Sequence, residues 1–123
     1  MERTWIGLGS LVGLAAVGMA ALAAHGLDTL SPARLQMVRN AVQMQGWHAL
    51  AILACGLWSG RGGGRLADVA GVAFLAGVLL FCGSVYALAI AGTPVGALAP
   101  VGGTLLMVGW ALLALSAVRP HRP

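Results

Sequence analysis

The sequence predicts an all-α protein, an integral membrane four-helix bundle with both termini on the cytoplasmic side, and three observations lead there. Hydrophobic residues fill 59% of the 123 positions and charged residues only 8%, far from the balance of a soluble globular domain. The apolar positions gather into four runs, about 5–24, 40–58, 66–91 and 100–118, each long enough at ~1.5 Å per residue to cross a hydrocarbon core about 30 Å thick. The seven basic residues are all arginine, and they flank these runs. Residues 1–123 therefore read as a single transmembrane domain with the lipid bilayer as its solvent.

The first run, Trp5 to Ala24, carries no charge. A signal peptide is the rival reading, because Arg3, an apolar stretch and Ala21-Leu22-Ala23 follow one another as its regions would. Glu2 opposing Arg3 and the equally apolar sequence downstream favour a retained helix. Gly9 and Gly13 recur at the spacing that lets a neighbouring helix approach closely. Gly26, just past the run, suits a left-handed helix cap, and His25 then sits at the membrane edge.

Ser31-Pro32 predicts the next helix start, serine as N-cap and proline in the first turn. From Pro32 to Trp58 the helix would be ~40 Å long, so its first turns extend into the headgroup layer. Gln36, Arg39, Asn40 and Gln43 share one face, and Gln45 and His48 another. The glycine-rich stretch Ser59 to Arg65 reads as a short flexible connector; it lacks the Lys-Ser or Lys-Thr and the preceding strand of a phosphate loop.

The third run is entered past Asp68, an acid expected in the first helical turn, where the helix dipole favours it. Ala73 and Gly77 repeat the small-residue spacing, and Ser84 and Tyr86 bring hydroxyls into the far half of the run. A turn follows, and Pro100 is placed to begin the last helix, which contains Gly102, Gly103 and Gly109. With four crossings, Arg3, Arg61, Arg65, Arg119 and Arg122 share one face against Arg34 and Arg39 on the other, so the positive-inside rule puts both termini in the cytoplasm. His121, in the tail, is expected to be solvated.

This composition argues against several function classes. A pI near 10.6 would suggest nucleic acid for a soluble chain, but the arginines form no patch and no base-stacking element accompanies them; no nucleic-acid partner is expected. Cys55 and Cys82 fall at depths about 10 Å apart and read as buried small hydrophobes, neither a disulfide nor a metal pair. Ser84 with His48 could imitate a hydrolytic pair, yet no acid lies in the core to orient the histidine, so no catalytic residue is assigned. Haem ligation by His25 and His48 would have to fit beside the bulky Trp47 in a small bundle, and no cofactor or metal is expected.

What stands out is polarity within apolar runs: His25, Gln45, His48, Ser84 and Tyr86 form a candidate intramembrane polar cluster. Amides and imidazoles in hydrocarbon need partners on neighbouring helices. Mutual satisfaction is the plainer explanation, a functional site the sharper one.

Four blocks carry a further observation: Ala24-His25-Gly26-Leu27; Gln45-Gly46-Trp47-His48-Ala49-Leu50-Ala51; Leu80-Phe81-Cys82-Gly83-Ser84-Val85-Tyr86; and Pro100-Val101-Gly102-Gly103 with Gly109-Trp110. In this order they resemble the family catalogued as domain of unknown function 423, the YgdD-like small integral membrane proteins of bacteria. The resemblance covers almost the whole chain and implies a four-helix inner-membrane protein with no established activity or cofactor. Met44, Cys82 and Ala99 stand where that family usually has tyrosine, serine and threonine. Each change removes a hydroxyl, so if those hydroxyls belong to a polar site in the family, this member has a drier version of it.

Small size, short loops and the lack of a catalytic set favour a non-enzymatic accessory or scaffold component, packing through glycine-rich faces such as those of Gly9, Gly13, Ala73, Gly77, Gly102, Gly103 and Gly109. Its expected partners are the bilayer and a homo-oligomer or larger membrane complex. The alternative is a small oligomeric transporter or channel using the His48/Tyr86 region, weakened because both aspartates lie at helix ends.

Overall fold

The computed structural model describes residues 1–119, so Arg122 and His121, used above in the reading of the tail, lie outside the described residues. The chain forms α1 (Glu2–His25), α2 (Pro32–Trp58), α3 (Gly64–Ala91) and α4 (Leu98–Val118). No strand occurs among the described residues. By length and apolarity three helical runs are able to cross a membrane: Glu2–His25, Pro32–Ala91 and Leu98–Val118.

The central run is two helices, α2 and α3, joined across a kink at Gly62, where the backbone leaves helical geometry. Ser59–Gly63 makes a wide i→i+5 turn that carries α2 into α3. The direction reverses where Gly62 takes φ 129° and Gly64 φ 55°, conformations glycine reaches without a Cβ clash. The two halves then lie antiparallel, with Ala41 beside Cys82 and His48 beside Phe74.

Helix ends follow local chemistry with three departures. Ser31 caps α2 as expected, its Oγ accepting from the Arg34 amide at 3.2 Å, with Pro32 in the first turn. Gly26 is not left-handed: it stays at φ −115°, ψ 0°, and donates to the Leu22 carbonyl at 2.7 Å. The left-handed cap is Gly92 instead, at φ 71°, where the chain must leave α3 sharply. Asp68 misses the first turn of α3 because the glycine turn lets that helix begin at Gly64, and its carboxylate accepts from the Trp5 indole at 2.8 Å. α4 begins at Leu98, ahead of Pro100.

α2 and α3 form the centre, α1 lies along α2, and α4 lies along α3. Trp5, Ile52, Cys55, Phe74, Val78, Cys82 and Leu106 build the main core, while Val38, Ala23, Leu27 and Ala89 close the other end. Cys55 and Cys82 are both buried and unbridged, and the Cys82 thiol donates to the Ala41 carbonyl.

Small residues set the helix separations. A Cβ at Gly9 would lie 3.0 Å from the Ala49 carbonyl oxygen, and Gly13 faces the Ala49 methyl at 3.7 Å. On the other side, Gly102 abuts the Phe81 backbone, Gly77 lies under Leu106, and Gly109 lies under the Phe74 ring. Gly103 has looser contact and Ala73 is buried. These glycine faces therefore join α1 to α2 and α3 to α4 within the chain.

Candidate functional site

The polar residues of α2 lie in the middle of this packing. Gln45 and His48 are three residues apart on a helix, so they lie on neighbouring parts of one buried face, 6% and 3% exposed. Each reaches a different neighbour.

Gln45 bridges three helices. Its Oε1 accepts from the Tyr86 hydroxyl of α3 at 2.7 Å, and its Nε2 donates to the Val12 carbonyl of α1 at 3.0 Å. That carbonyl already belongs to the α1 backbone ladder and offers its second lone pair.

His48 points toward α4. Its Nδ1 lies 2.6 Å from the Met44 carbonyl, which can only accept, and its Nε2 lies 3.0 Å from the Trp110 Nε1, which can only donate. The two bonds together require the neutral imidazole with its hydrogen on Nδ1. Phe74 and Trp110 pack against the ring, at centroid distances of 5.7 and 5.8 Å. Both nitrogens are thus engaged, and haem ligation would require breaking the Trp110 bond.

Two members of the expected cluster stand apart. Ser84 is buried, but its hydroxyl donates to the Phe81 carbonyl one turn back on its own helix, at 3.0 Å. His25 is exposed at the end of α1 and takes no part in either network. The structure therefore joins Gln45 with Tyr86, gives His48 to Trp110, and leaves His25 and Ser84 outside.

Sequence reasoning missed Trp110, and the signal was present. Tryptophan normally gathers at membrane interfaces, yet Trp110 falls in the middle of an apolar run. The Trp5–Asp68 bond was missed as well, since an acid at a helix end reads as a solvated group. Trp58 pairs likewise with Ser116 of α4, Nε1 to Oγ, at 2.9 Å.

Beside His48 the surface opens into a groove of about 400 Å³ between α2 and α4, lined by Trp47, Leu50, Ala51, Ala54 and Trp110. A smaller hollow of about 150 Å³, between α1 and α2, is lined by Ala20, Ala23, Ala24, Arg39 and Val42. Among the described residues no three histidines, cysteines or carboxylates gather as a metal site would need.

Residues 19–103 match the model of a family described as a protein of unknown function, DUF423. The chain belongs to the DUF423 family. Similar proteins include a UPF0382 membrane protein of Staphylococcus saprophyticus, 37% identical over 92% of this chain and 95% of that protein. A UPF0382 membrane protein of Haemophilus influenzae is 36% identical over 93% of each chain. UPF0382 membrane protein YwdK of Bacillus subtilis is 32% identical over 95% of this chain and 98% of its own. No solved structure matches the chain. The DUF423 match spans His25, Gln45, His48, Ser84 and Tyr86, and it stops short of Trp110, the partner of His48.

Proposed function

We propose that this DUF423 protein is a non-enzymatic accessory or scaffold component of a bacterial inner membrane. In this reading α1 to α4 cross the bilayer in turn as one four-helix domain, with both termini in the cytoplasm. The observation that carries it is that every fully buried side-chain nitrogen and oxygen among the described residues has a hydrogen-bond partner within the chain. Gln45, His48 and Tyr86 use their polar atoms to hold helices together, which is what a rigid scaffold requires. Glycines with open space above them, Gly7 and Gly18 on α1, Gly46 on α2 and Gly83 on α3, are the positions where another protein's helix can approach.

A transporter built on His48 and Tyr86 would have to break the Trp110 and Gln45 bonds in each cycle, and α2 and α3 carry no carboxylate at that depth. The test is the native mass of the protein extracted into nanodiscs, with membrane complexes compared in a deletion strain. Co-extraction with a larger complex whose level falls on deletion supports the scaffold reading. A bare chain, with every membrane complex unchanged, overturns it. Topology is tested with a reporter at the C-terminus, where activity outside the cytoplasm would reverse the orientation.

A further inference from the structure

Of the four tryptophan indoles, three donate within the chain: Trp5 to Asp68, Trp58 to Ser116 and Trp110 to His48. Trp47 makes no such bond among the described residues and is 55% exposed at the edge of the groove between α2 and α4. Its depth matters. In the four-crossing reading proposed above, on which this inference rests, Trp47 lies eight residues beyond Arg39, the last charge on α2, or ~12 Å into a core about 30 Å thick. That is within a few ångströms of the midplane. Water does not reach this depth, and phospholipid ester carbonyls stay ~12 Å or more away at the core edges. An indole N–H left there without an acceptor is costly.

We infer that the Trp47 groove is a binding site for a membrane-soluble planar ring bearing a carbonyl acceptor, the chemistry of an isoprenoid quinone. The groove is about 400 Å³, room for a substituted six-membered ring and the first part of its tail. Its walls suit a flat, electron-poor ring, since Trp47 and Trp110 offer indole surfaces and Leu50 and Ala54 are apolar. A ring carbonyl accepts from the Trp47 Nε1–H, and the tail runs between lipid chains. Unlike a phospholipid, such a molecule carries its acceptor to the bilayer midplane.

The test uses the intact protein in phospholipid nanodiscs titrated with ubiquinone-2, reading quenching of tryptophan fluorescence. The expected result is quenching that saturates at one quinone per chain. Trp47→Phe keeps an aromatic wall and removes the donor, so it weakens binding about fivefold, the value of one hydrogen bond. Ala54→Leu fills the groove from an exposed position and abolishes saturation. Quenching that rises linearly with quinone, or is the same in both variants, overturns the assignment. So does a dimer in native mass spectrometry that Ala54→Leu dissociates, because a second copy would then fill the groove.

Discussion

Two alanine substitutions, chemically identical and both inside helices, are expected to shift stability in opposite directions. At Gly102 a Cβ would be driven into the Phe81 backbone and would lie 2.9 Å from the Gly77 carbonyl oxygen. Neither obstacle is a flexible side-chain end, so α4 must move away from α3 and loosen the seats of Leu106 and Gly109. Overpacking of this kind costs about 1–3 kcal/mol. At Gly83, exposed on α3, a Cβ meets nothing within 4 Å. There the substitution only reduces backbone freedom and gains roughly 0.5–1 kcal/mol of helix preference. The separation between Gly102→Ala and Gly83→Ala should therefore be about 1.5–4 kcal/mol, measured by denaturant-driven unfolding in bicelles. Equal effects of the two variants would refute the argument that α3 and α4 meet backbone to backbone at Gly102.

The remaining expectations concern the polar links. A double-mutant cycle on Tyr86→Phe and Gln45→Leu should give a coupling of about 0.6 kcal/mol, rising toward ~1.7 if the bridge to Val12 strengthens it; additive effects would remove the bond from the account. Solid-state nitrogen NMR should find His48 carrying its hydrogen on Nδ1, with the Nε2 signal shifting in Trp110→Phe; a hydrogen on Nε2 would contradict the Trp110 bond. Asp68→Ala leaves the buried Trp5 indole without an acceptor and should destabilise by ~1–3 kcal/mol, whereas Asp68→Asn, keeping a carbonyl there, should lose less; equal losses would mean that charge matters more than the bond.

Much of the helical pattern could be read from the residues. Hydropathy and helix punctuation are local properties, so the apolar runs and the Ser31-Pro32 start were legible. Helix ends decided by backbone competition were less so. Gly26 and Gly92 look alike in sequence, but only at Gly92 does the exit from α3 demand a positive φ. The stretch from Ser59 to Arg65 read as a short connector, and it does join two helices; only packing α2 against α3 showed that its first residues make a wide i→i+5 turn before Gly62 breaks the helical geometry.

By itself, the sequence determined that this is a helical membrane-type chain, because bilayer-length apolar segments and flanking arginines leave few other solvents and folds. It also marked Gln45 and His48 as groups that had to find partners, since burying them alone in hydrocarbon is too costly. Only the tertiary structure decided which partners they found. Helix rotation and depth turn Trp110 toward His48, bring Tyr86 and the Val12 carbonyl to Gln45, and leave His25 exposed and Ser84 bonded to its own helix. Rotation and depth are set by the close glycine contacts along α1–α2 and α3–α4, which depend on residues far apart in the chain and have no local signature.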